Sequence, residues 1–471
     1  MRDVDVAVIG GGITGLAAAY ELHRRAIPFT LFERSPRLGG VIRTDQVDGF
    51  TIDAGPDSLI VQKPAALALC REIGLEPRLV STLPPRTAFV VRHGALHPLP
   101  PASVFGIPTR LGPLLSSGLL TWGGKARMAM ELIVSPREET ADESVASFFR
   151  RRFGAEAVDY IADPLLAGIH AGDVARLSMQ TLFPRLVETE RTHGSVIRGF
   201  RKLVAARAGR GNDGGLFRSL PGGLEELVSA LVGRLPTTAI RCGVAATSIR
   251  GTGPFQIGAS RGAGVLARQV VLAAPASVSA ALLQPLDADL GRLCAGIPHT
   301  STATVALAYP RRAVGHPLSG TGFVVPRVET SLAIMAGTWV SSKWPHRAPD
   351  DHVLMRGFLG GARDPGVLDR ADADLAAAVH RDLATLLRID AGPSLTRVFR
   401  WPGANPQHDV GHADRVAAID ARLTRFSGLH LAGAAFRGVG IPDCVVAGRA
   451  AATAAAEAIQ AEAHETASAG P

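Results

Sequence analysis

The stretch from Val4 to Leu22, read together with Phe29 to Arg34, constrains this chain more than any other. An apolar, β-branched run, Val4-Asp5-Val6-Ala7-Val8-Ile9, enters Gly10-x-Gly12-x-x-Gly15; an Ala-rich helical stretch leaves it, and a second short strand ends on Glu33. Strand, glycine turn, helix, strand and acid in this order form a cradle for a dinucleotide. Gly10 permits the tight turn, Gly12 lets the backbone approach a pyrophosphate, and Gly15 lets helix and strand pack closely. The helix start at Ile13 and Thr14 offers N–H groups and a positive dipole end to the phosphates. Glu33 is placed for the ribose hydroxyls. The glycine triplet alone would mean little in a chain with 52 glycines among 471 residues; its flanking strand, helix and acid give it meaning.

The residues just after the acid select the dinucleotide. The run Glu33-Arg34-Ser35-Pro36-Arg37-Leu38-Gly39-Gly40 resembles the signature of the flavin amine-oxidase superfamily, whose paired glycines let the chain pass over FAD. The resemblance implies FAD rather than NAD, with Arg34, Gly39 and Gly40 at the cofactor. It places the Gly55-Pro56-Asp57-Ser58 turn close to the isoalloxazine and Val244, Trp401 and Gly433 among the cofactor residues. Near the other end, Leu429 to Arg449 reads as a strand, a glycine-rich turn and a helix. The N–H groups of Gly438, Val439, Gly440 and Ile441 would again face phosphate or the pyrimidine edge of the flavin. Two cradles at opposite ends require a nucleotide domain assembled from distant segments.

Length and composition set the frame. A chain of 471 residues suits two or three domains. Cys70, Cys242, Cys294 and Cys444 have no Cys-x-x-Cys spacing, so neither a disulfide framework nor a metal site is indicated, and a reducing cytoplasm fits. The first strand begins almost at once, leaving no room for an export signal. The charge-free runs Gln269 to Leu286 and Leu293 to Pro310 contain Pro275 and Pro298 and read as core strands and loops. A formal net charge of +8 suits an anionic substrate or lipid surface; without a Lys/Arg block it does not indicate nucleic acid.

Along the chain, Val41 to Thr44 and Phe50 to Pro56 read as a hairpin around Val47-Asp48-Gly49, and Pro64 to Ile73 as a helix stopped by Gly74. From Gly94 to Ser135 the composition turns to Gly, Pro, Leu and Ser; such a stretch packs inside, lines a channel or lies on a lipid surface. Asp142-Glu143-Ser144 opens a helix that closes on Arg150-Arg151-Arg152 and Gly154, so the triple arginine reads as a helix end. Val204 to Gly215 reads as a mobile loop. These signals give an α/β protein whose Rossmann-like, amine-oxidase-type FAD domain is built from 1–84, 218–275 and 410–456. A substrate domain takes 85–110, 185–217 and 276–409, a helical domain 111–184, and a frayed tail 457–471.

Several segments together resemble the oxygen-dependent porphyrinogen oxidases of haem synthesis, over about residues 4 to 456. They are Asp163 to Asp173 with its Ala171-Gly172-Asp173, Arg400-Trp401 with Asn405 to His408 and Gly411-His412, and Gly438 to Cys444. Gly106-Ile107-Pro108-Thr109, Gly124 to Arg127 and Lys343-Trp344-Pro345-His346 are most similar to the branch that makes coproporphyrin III. The resemblance implies a six-electron oxidation of coproporphyrinogen III, hydride passing to flavin N5 and O₂ returning hydrogen peroxide; protoporphyrinogen IX is the alternative substrate. It implies a pocket lined by Gly168, Val324, Thr338 and Phe358, with Lys63 near the ring or a propionate and no metal. Peripheral contact with the inner face of the cell membrane and handover to a ferrochelatase stay open. His170 and His408 depart from the tyrosines usual in the family, and Ala88 stands where protoporphyrinogen-specific members often carry arginine, with Arg86 or Arg92 as substitutes. His408 and His412 read as ordinary hydrogen-bonded histidines rather than a metal pair. A flavin amine oxidase, a carotenoid desaturase and a non-catalytic binding module share the fold and are the competing readings.

Overall fold

The computed structural model describes residues 2–101, 103–137, 141–207 and 215–468. Its first strand, Arg2–Ile9, is central in a seven-stranded sheet ordered Ile240–Cys242, Phe29–Glu33, Arg2–Ile9, Val265–Leu272, Phe255–Ala259, Ala246–Arg250, with Leu429–Leu431 also paired to Val265–Leu272. Side chains alternate across this sheet: Val6 and Val8 enter the core under the helix Ile13–Arg24, while Ala7 and Ile9 enter the core on the opposite face. Both faces are covered, which is why the strand reads as a continuous apolar run.

Three segments converge on this sheet, as the two cradles require. The C-terminal helix Ile441–Ser468 lies against Ile13–Arg24, where the small residues Ala17, Ala18 and Ala19 are fully buried. A Cβ on Gly448 would stand 2.1 Å from the Thr14 carbonyl oxygen, so the two helices meet backbone to backbone. The helix runs on through residues expected to be a frayed tail. Ala452, Ala455 and Ile459 continue one buried stripe, and beyond Ile459 the helix runs on with exposed side chains over 460–464.

The second seven-stranded sheet is ordered Leu395–Pro406, His299–Pro310, His352–Gly360, Ala336–Trp339, Gly322–Val324, Ala88–Arg92, Ala95–Pro98. Ala303, Val305, Leu307 and Tyr309 face a core shared with helix Asp372–Leu387, while Ala306 and Ala308 face Phe50 and Ile52 of the hairpin together with Trp344. A third, helical lobe packs around Phe148, Phe149, Phe153, Ile161 and Leu166 and reaches the second sheet through Val90 and Val324.

Two expected boundaries move. Helices Ala276–Leu283 and Ala288–Ala295 pack with Ala7, Ile9 and Leu272, so the nucleotide lobe extends past 275. Helices Pro184–His193 and Val196–Arg207 join the helical lobe through Leu186, Val196, Ile197 and Phe200 instead of the substrate domain. The buried Glu131 explains the second case: its carboxylate accepts from Ser195 Oγ at 2.6 Å and from the N–H groups of Val196 and Ile197 at 2.8 and 3.3 Å. That carboxylate caps a helix 65 residues away, a signal absent from the local sequence. Val204 to Arg207 are therefore helical rather than loop, and 208–214 lie outside the described residues.

Other local expectations hold. The hairpin forms over Thr44–Val47 and Phe50–Asp53 with Asp48 and Gly49 at positive φ, although 41–43 stay outside the strand. Helix Ala65–Glu72 precedes Gly74, and Val145–Phe153 is capped by Ser144 and closed by Gly154. Among the described residues no helix is long and apolar enough to cross a membrane.

Candidate active site

The glycine turn is built by exclusion. A Cβ on Gly15 would lie 1.8 Å from the Gly10 carbonyl oxygen, and one on Gly10, at φ +109°, would lie 2.6 Å from that of Ala273. Around a Cβ on Gly12, by contrast, no atom of the described residues would stand within 4 Å, so the turn opens outward there. Gly12 begins the helix without a side-chain cap, which leaves the first N–H groups facing that opening. Gly39 N–H donates to Gly11 O at 2.8 Å, bringing the paired glycines over the turn. Arg37 pins their loop by donating to the carbonyls of Leu38, Gly40 and Ile42. Glu33 accepts from Gly11 N–H at 2.7 Å and from Ser35 N–H and Oγ at 2.8 and 2.7 Å. Val244 N–H donates to Glu33 O at 2.8 Å, and Arg34 is exposed at the rim.

From this turn the chain leads to the second group of expected cofactor residues. A Cβ on Gly55 would meet Val41 O at 2.1 Å, and Trp401 Nε1 donates to Ala54 O at 3.1 Å. The Gly55–Ser58 turn is thereby locked to the paired-glycine loop on one side and to the second sheet on the other. Facing the cradle helix, Gly433 and Gly438 adopt φ +128° and +142°, and the Asp443 side chain packs on Gly438 at the start of the C-terminal helix. Lys63 Nζ reaches that carboxylate at 2.7 and 2.8 Å, tying the segment after the Gly55–Ser58 turn to the Gly438–Ile441 motif.

The expected substrate residues fall on one face of the second sheet. Register pairs Gly322 with Thr338 and Thr338 with Arg356, and pairs Val324 with Ala336 and Ala336 with Phe358. Because side chains alternate along a strand, Val324, Thr338, Arg356 and Phe358 all point the same way. Val324, Thr338 and Phe358 are half-buried, whereas Phe323, Trp339 and Leu359 on the other face are buried. Gly168 follows a π-helix, Val158–Ala167, with open space where a Cβ would stand. The carbonyl of His170, two residues on, accepts from Gln407, which anchors this corner to the second sheet.

Residues 13–456 match the family of flavin containing amine oxidoreductases. The chain belongs to that family. Its cofactor is FAD, and the open Gly12 turn at an uncapped helix start fits its phosphates. Coproporphyrinogen III oxidase of Bacillus subtilis (strain 168) is 38% identical over 457 residues, covering 95% of this chain and 96% of the relative. Protoporphyrinogen oxidase 1, chloroplastic, of Arabidopsis thaliana is 29% identical over 473 residues, covering 94% and 86%. A crystal structure from Exiguobacterium sp. 255-15, provisionally named protoporphyrinogen oxidase, superposes with a TM-score of 0.86 at 34% identity over 97% of this chain and 99% of that one.

In this flavin containing oxidoreductase, charge gathers where neighbouring residues offer little notice of it. Asp57 is buried and accepts from Lys343 Nζ at 3.0 Å, Arg356 Nη2 at 2.6 Å and Trp344 Nε1 at 3.3 Å. Burial alone would raise its pKa, but Lys343 and Arg356 outweigh it and hold the carboxyl well below the usual carboxylate range. Asp53, four residues earlier, shifts the other way: burial dominates the pull of Arg347 and its pKa rises. Arg356, Lys343 and Arg347 carried no expected role, since their carboxylate partners lie far back along the chain, Asp57 being 286 residues from Lys343 and 299 from Arg356.

Two expectations about single residues resolve. His408 and His412 stack at 4.0 Å, and each hydrogen-bonds a main-chain carbonyl through Nε2, Ala434 O at 3.1 Å and Phe436 O at 3.0 Å. Both brace the segment leading to Gly438. Arg92 does not stand in for the arginine missing at Ala88. Its guanidinium donates to Leu119 O, pairs with Glu156 at 3.3 Å and lies 4.8 Å from the centre of the Tyr160 ring.

Proposed function

We propose that this flavoprotein oxidises coproporphyrinogen III to coproporphyrin III, with O₂ as electron acceptor. One observation carries the reading: three half-buried side chains, Val324, Thr338 and Phe358, share one sheet face, and that face is tied to the Gly55–Ser58 turn through Arg356. A flat macrocycle laid on this patch would bury apolar surface against Phe358 and Val324. Bound FAD supplies the two-electron acceptor. The chain supplies orientation and dryness: Phe358 and Val324 exclude water from the ring, Thr338 offers a hydroxyl, and Gly168 leaves the macrocycle room to approach. Lys63, its side chain 54% exposed beside Asp443, is placed to meet a propionate at the rim. Pyrrole N–H protons can leave to solvent, so the chemistry needs no side-chain base.

Protoporphyrinogen IX is the second reading, and Ala88 weighs against it. Ala88 pairs with Gly322 on the same face, and Arg92, four residues on, is committed to Glu156 and Tyr160. A substrate with four carboxylates has more groups at the solvent rim and depends less on a clamp at this strand. The relatives support both readings, since the Bacillus subtilis protein is named for the first substrate and the Arabidopsis thaliana protein for the second. Steady-state oxidation of the two porphyrinogens in parallel, read by porphyrin fluorescence and hydrogen peroxide release, tests the proposal. A higher kcat/KM for coproporphyrinogen III is expected; a preference for protoporphyrinogen IX exchanges the two.

Peripheral membrane contact belongs to the same proposal. Residues 111–124 carry no Asp, Glu, Lys or Arg; in them and the helical segment that follows, Leu114, Leu119, Leu120 and Met128 pack inward, while Leu115, Trp122, Met130 and Ile133 are exposed on the helical lobe. Co-sedimentation with anionic vesicles, lost in Trp122→Ser/Ile133→Ser, is the expected result; equal sedimentation of parent and variant removes this part.

A further inference from the structure

The buried charges behind the Gly55–Ser58 turn do not balance. Asp57 pairs with Lys343 at 3.0 Å and Arg356 at 2.6 Å, and Asp53 pairs with Arg347 at 3.1 Å. Among the described residues two carboxylates thus face three cations, and Glu226, which also feels Arg347, is matched by its own partner Arg78 at 2.7 Å, so one positive charge is in surplus. The side chains of Arg347 and Arg356 are 0% and 3% exposed and that of Lys343 14%, so solvent screens this surplus little. Arg356 also donates to the carbonyls of Asp53 and Gly55, and so holds the turn from beneath as well as neutralising Asp57. Its guanidinium lies 5.3 Å from the centre of the Phe358 ring, and its Nε is buried with no acceptor among the described residues. Buried donors without acceptors are uncommon in folded proteins, and Arg347 Nε and Nη1 in the same cluster share that state, so positive charge here is incompletely compensated.

We propose that Lys343 and Arg356, gathered around Asp57, are positioning residues whose surplus positive charge favours the reduced, more negatively charged flavin and so sets the cofactor's reduction potential. A fixed charge in a dry site acts without reorganising as electrons arrive. Arg356 has a second role through geometry: its strand partner is Thr338, so the same side chain that fixes the turn also fixes the distance between turn and substrate face. The inference deepens the proposed function by naming what tunes the cofactor of that site. It rests on the flavin lying against the Gly55–Ser58 turn and does not depend on which porphyrinogen is oxidised.

The test counts charge at constant geometry. Midpoint potentials of the FAD-loaded protein are measured by anaerobic dye-coupled reduction for the parent, Lys343→Met, Asp57→Asn, the double variant and Arg356→Lys. The surplus is one in the parent, zero in Lys343→Met, two in Asp57→Asn, and one again in the double variant and in Arg356→Lys. Lys343→Met is expected to shift the two-electron equilibrium at least tenfold toward the oxidised flavin, about 30 mV. Asp57→Asn shifts it the opposite way, and the double variant and Arg356→Lys return toward the parent. A Lys343→Met shift below tenfold, or one in the same direction as Asp57→Asn, overturns the proposal. Because no substrate enters the measurement, a wrong porphyrinogen assignment leaves it untouched.

Discussion

Around Gly10, Gly12 and Gly15 the chain makes room with bare backbone, whereas around Asp57 it makes contact through charged side chains drawn from far along the sequence. At the first region a methyl group at Gly15 would already strike a carbonyl, and the one charged side chain at the turn, Glu33, accepts from Gly11 N–H at 2.7 Å. At the second, Lys343, Arg347 and Arg356 converge on two carboxylates within five residues of one another. Steric requirements of the first kind are written at one place in the chain and act even without a ligand. Electrostatic requirements of the second kind exist only after two sheets have come together.

The largest expected effects break the first region. Gly15→Val should abolish FAD binding, read as loss of flavin absorbance, and cost on the order of 4 kcal/mol in thermal or denaturant unfolding. Asp57→Ala comes next. It leaves Lys343 and Arg356 facing each other, and a buried pair broken from one side typically costs about 3–5 kcal/mol. Its pH dependence has a definite sign. Because the folded state holds Asp57 below its unfolded value, the stabilisation is complete above about pH 4 and is lost as pH falls through the folded value. The stability gap between parent and variant, read from denaturant unfolding, should therefore hold from about pH 6 to about pH 4 and narrow below that.

Smaller effects sharpen the contrast between holding the cofactor and holding the substrate. Phe358→Ala should keep its FAD spectrum and lose roughly 10- to 100-fold in kcat/KM, a change of about 1.4–2.7 kcal/mol. If instead FAD is lost, the substrate face and the cradle are not separable. His408 supplies a further check. Burial pushes its pKa down to about 3, so the unfolded state takes up a proton first as pH falls. Stability is then full above about pH 6.5 and declines through the window down to about 3, by about 1.4 kcal/mol at about pH 5.5 for this one group. His408→Phe should flatten the fall in melting temperature between about pH 7 and about pH 5. The smallest change is Lys63→Ala, which removes an exposed ion pair worth no more than about 1 kcal/mol of stability. Its expected signature is a raised KM for porphyrinogen with kcat nearly unchanged.

The same contrast explains what could be read from the chain. The nucleotide cradle was legible because each glycine answers a local steric demand, and the strand, helix and acid all lie within residues 4–33. The proposed substrate trio came only from family resemblance; no local pattern distinguishes Val324 or Phe358 from core. Register puts the three on one face, since strands 322–324, 336–339 and 352–360 are neighbours in space. Arg356 reads in sequence as one more charged residue in an apolar run, Leu354-Met355-Arg356-Gly357-Phe358. Its role appears only when Asp57 arrives from 299 residues away. The expected frayed tail, 457–471, is helical as far as Ser468, with 469–471 outside the described residues; of its side chains Ile459 continues the stripe that Ala452 and Ala455 bury against another helix, a use that alanines do not announce in sequence.

A flavin held by the cradle and facing a tetrapyrrole-sized patch is the claim on which the rest depends. Anaerobic titration of the oxidised holoprotein with coproporphyrinogen III measures that directly. We expect the flavin absorbance to bleach with about three flavins reduced per porphyrinogen, since six electrons leave in two-electron steps, and to bleach faster than with protoporphyrinogen IX. A flavin that stays oxidised with both porphyrinogens yet bleaches with a primary amine would contradict it.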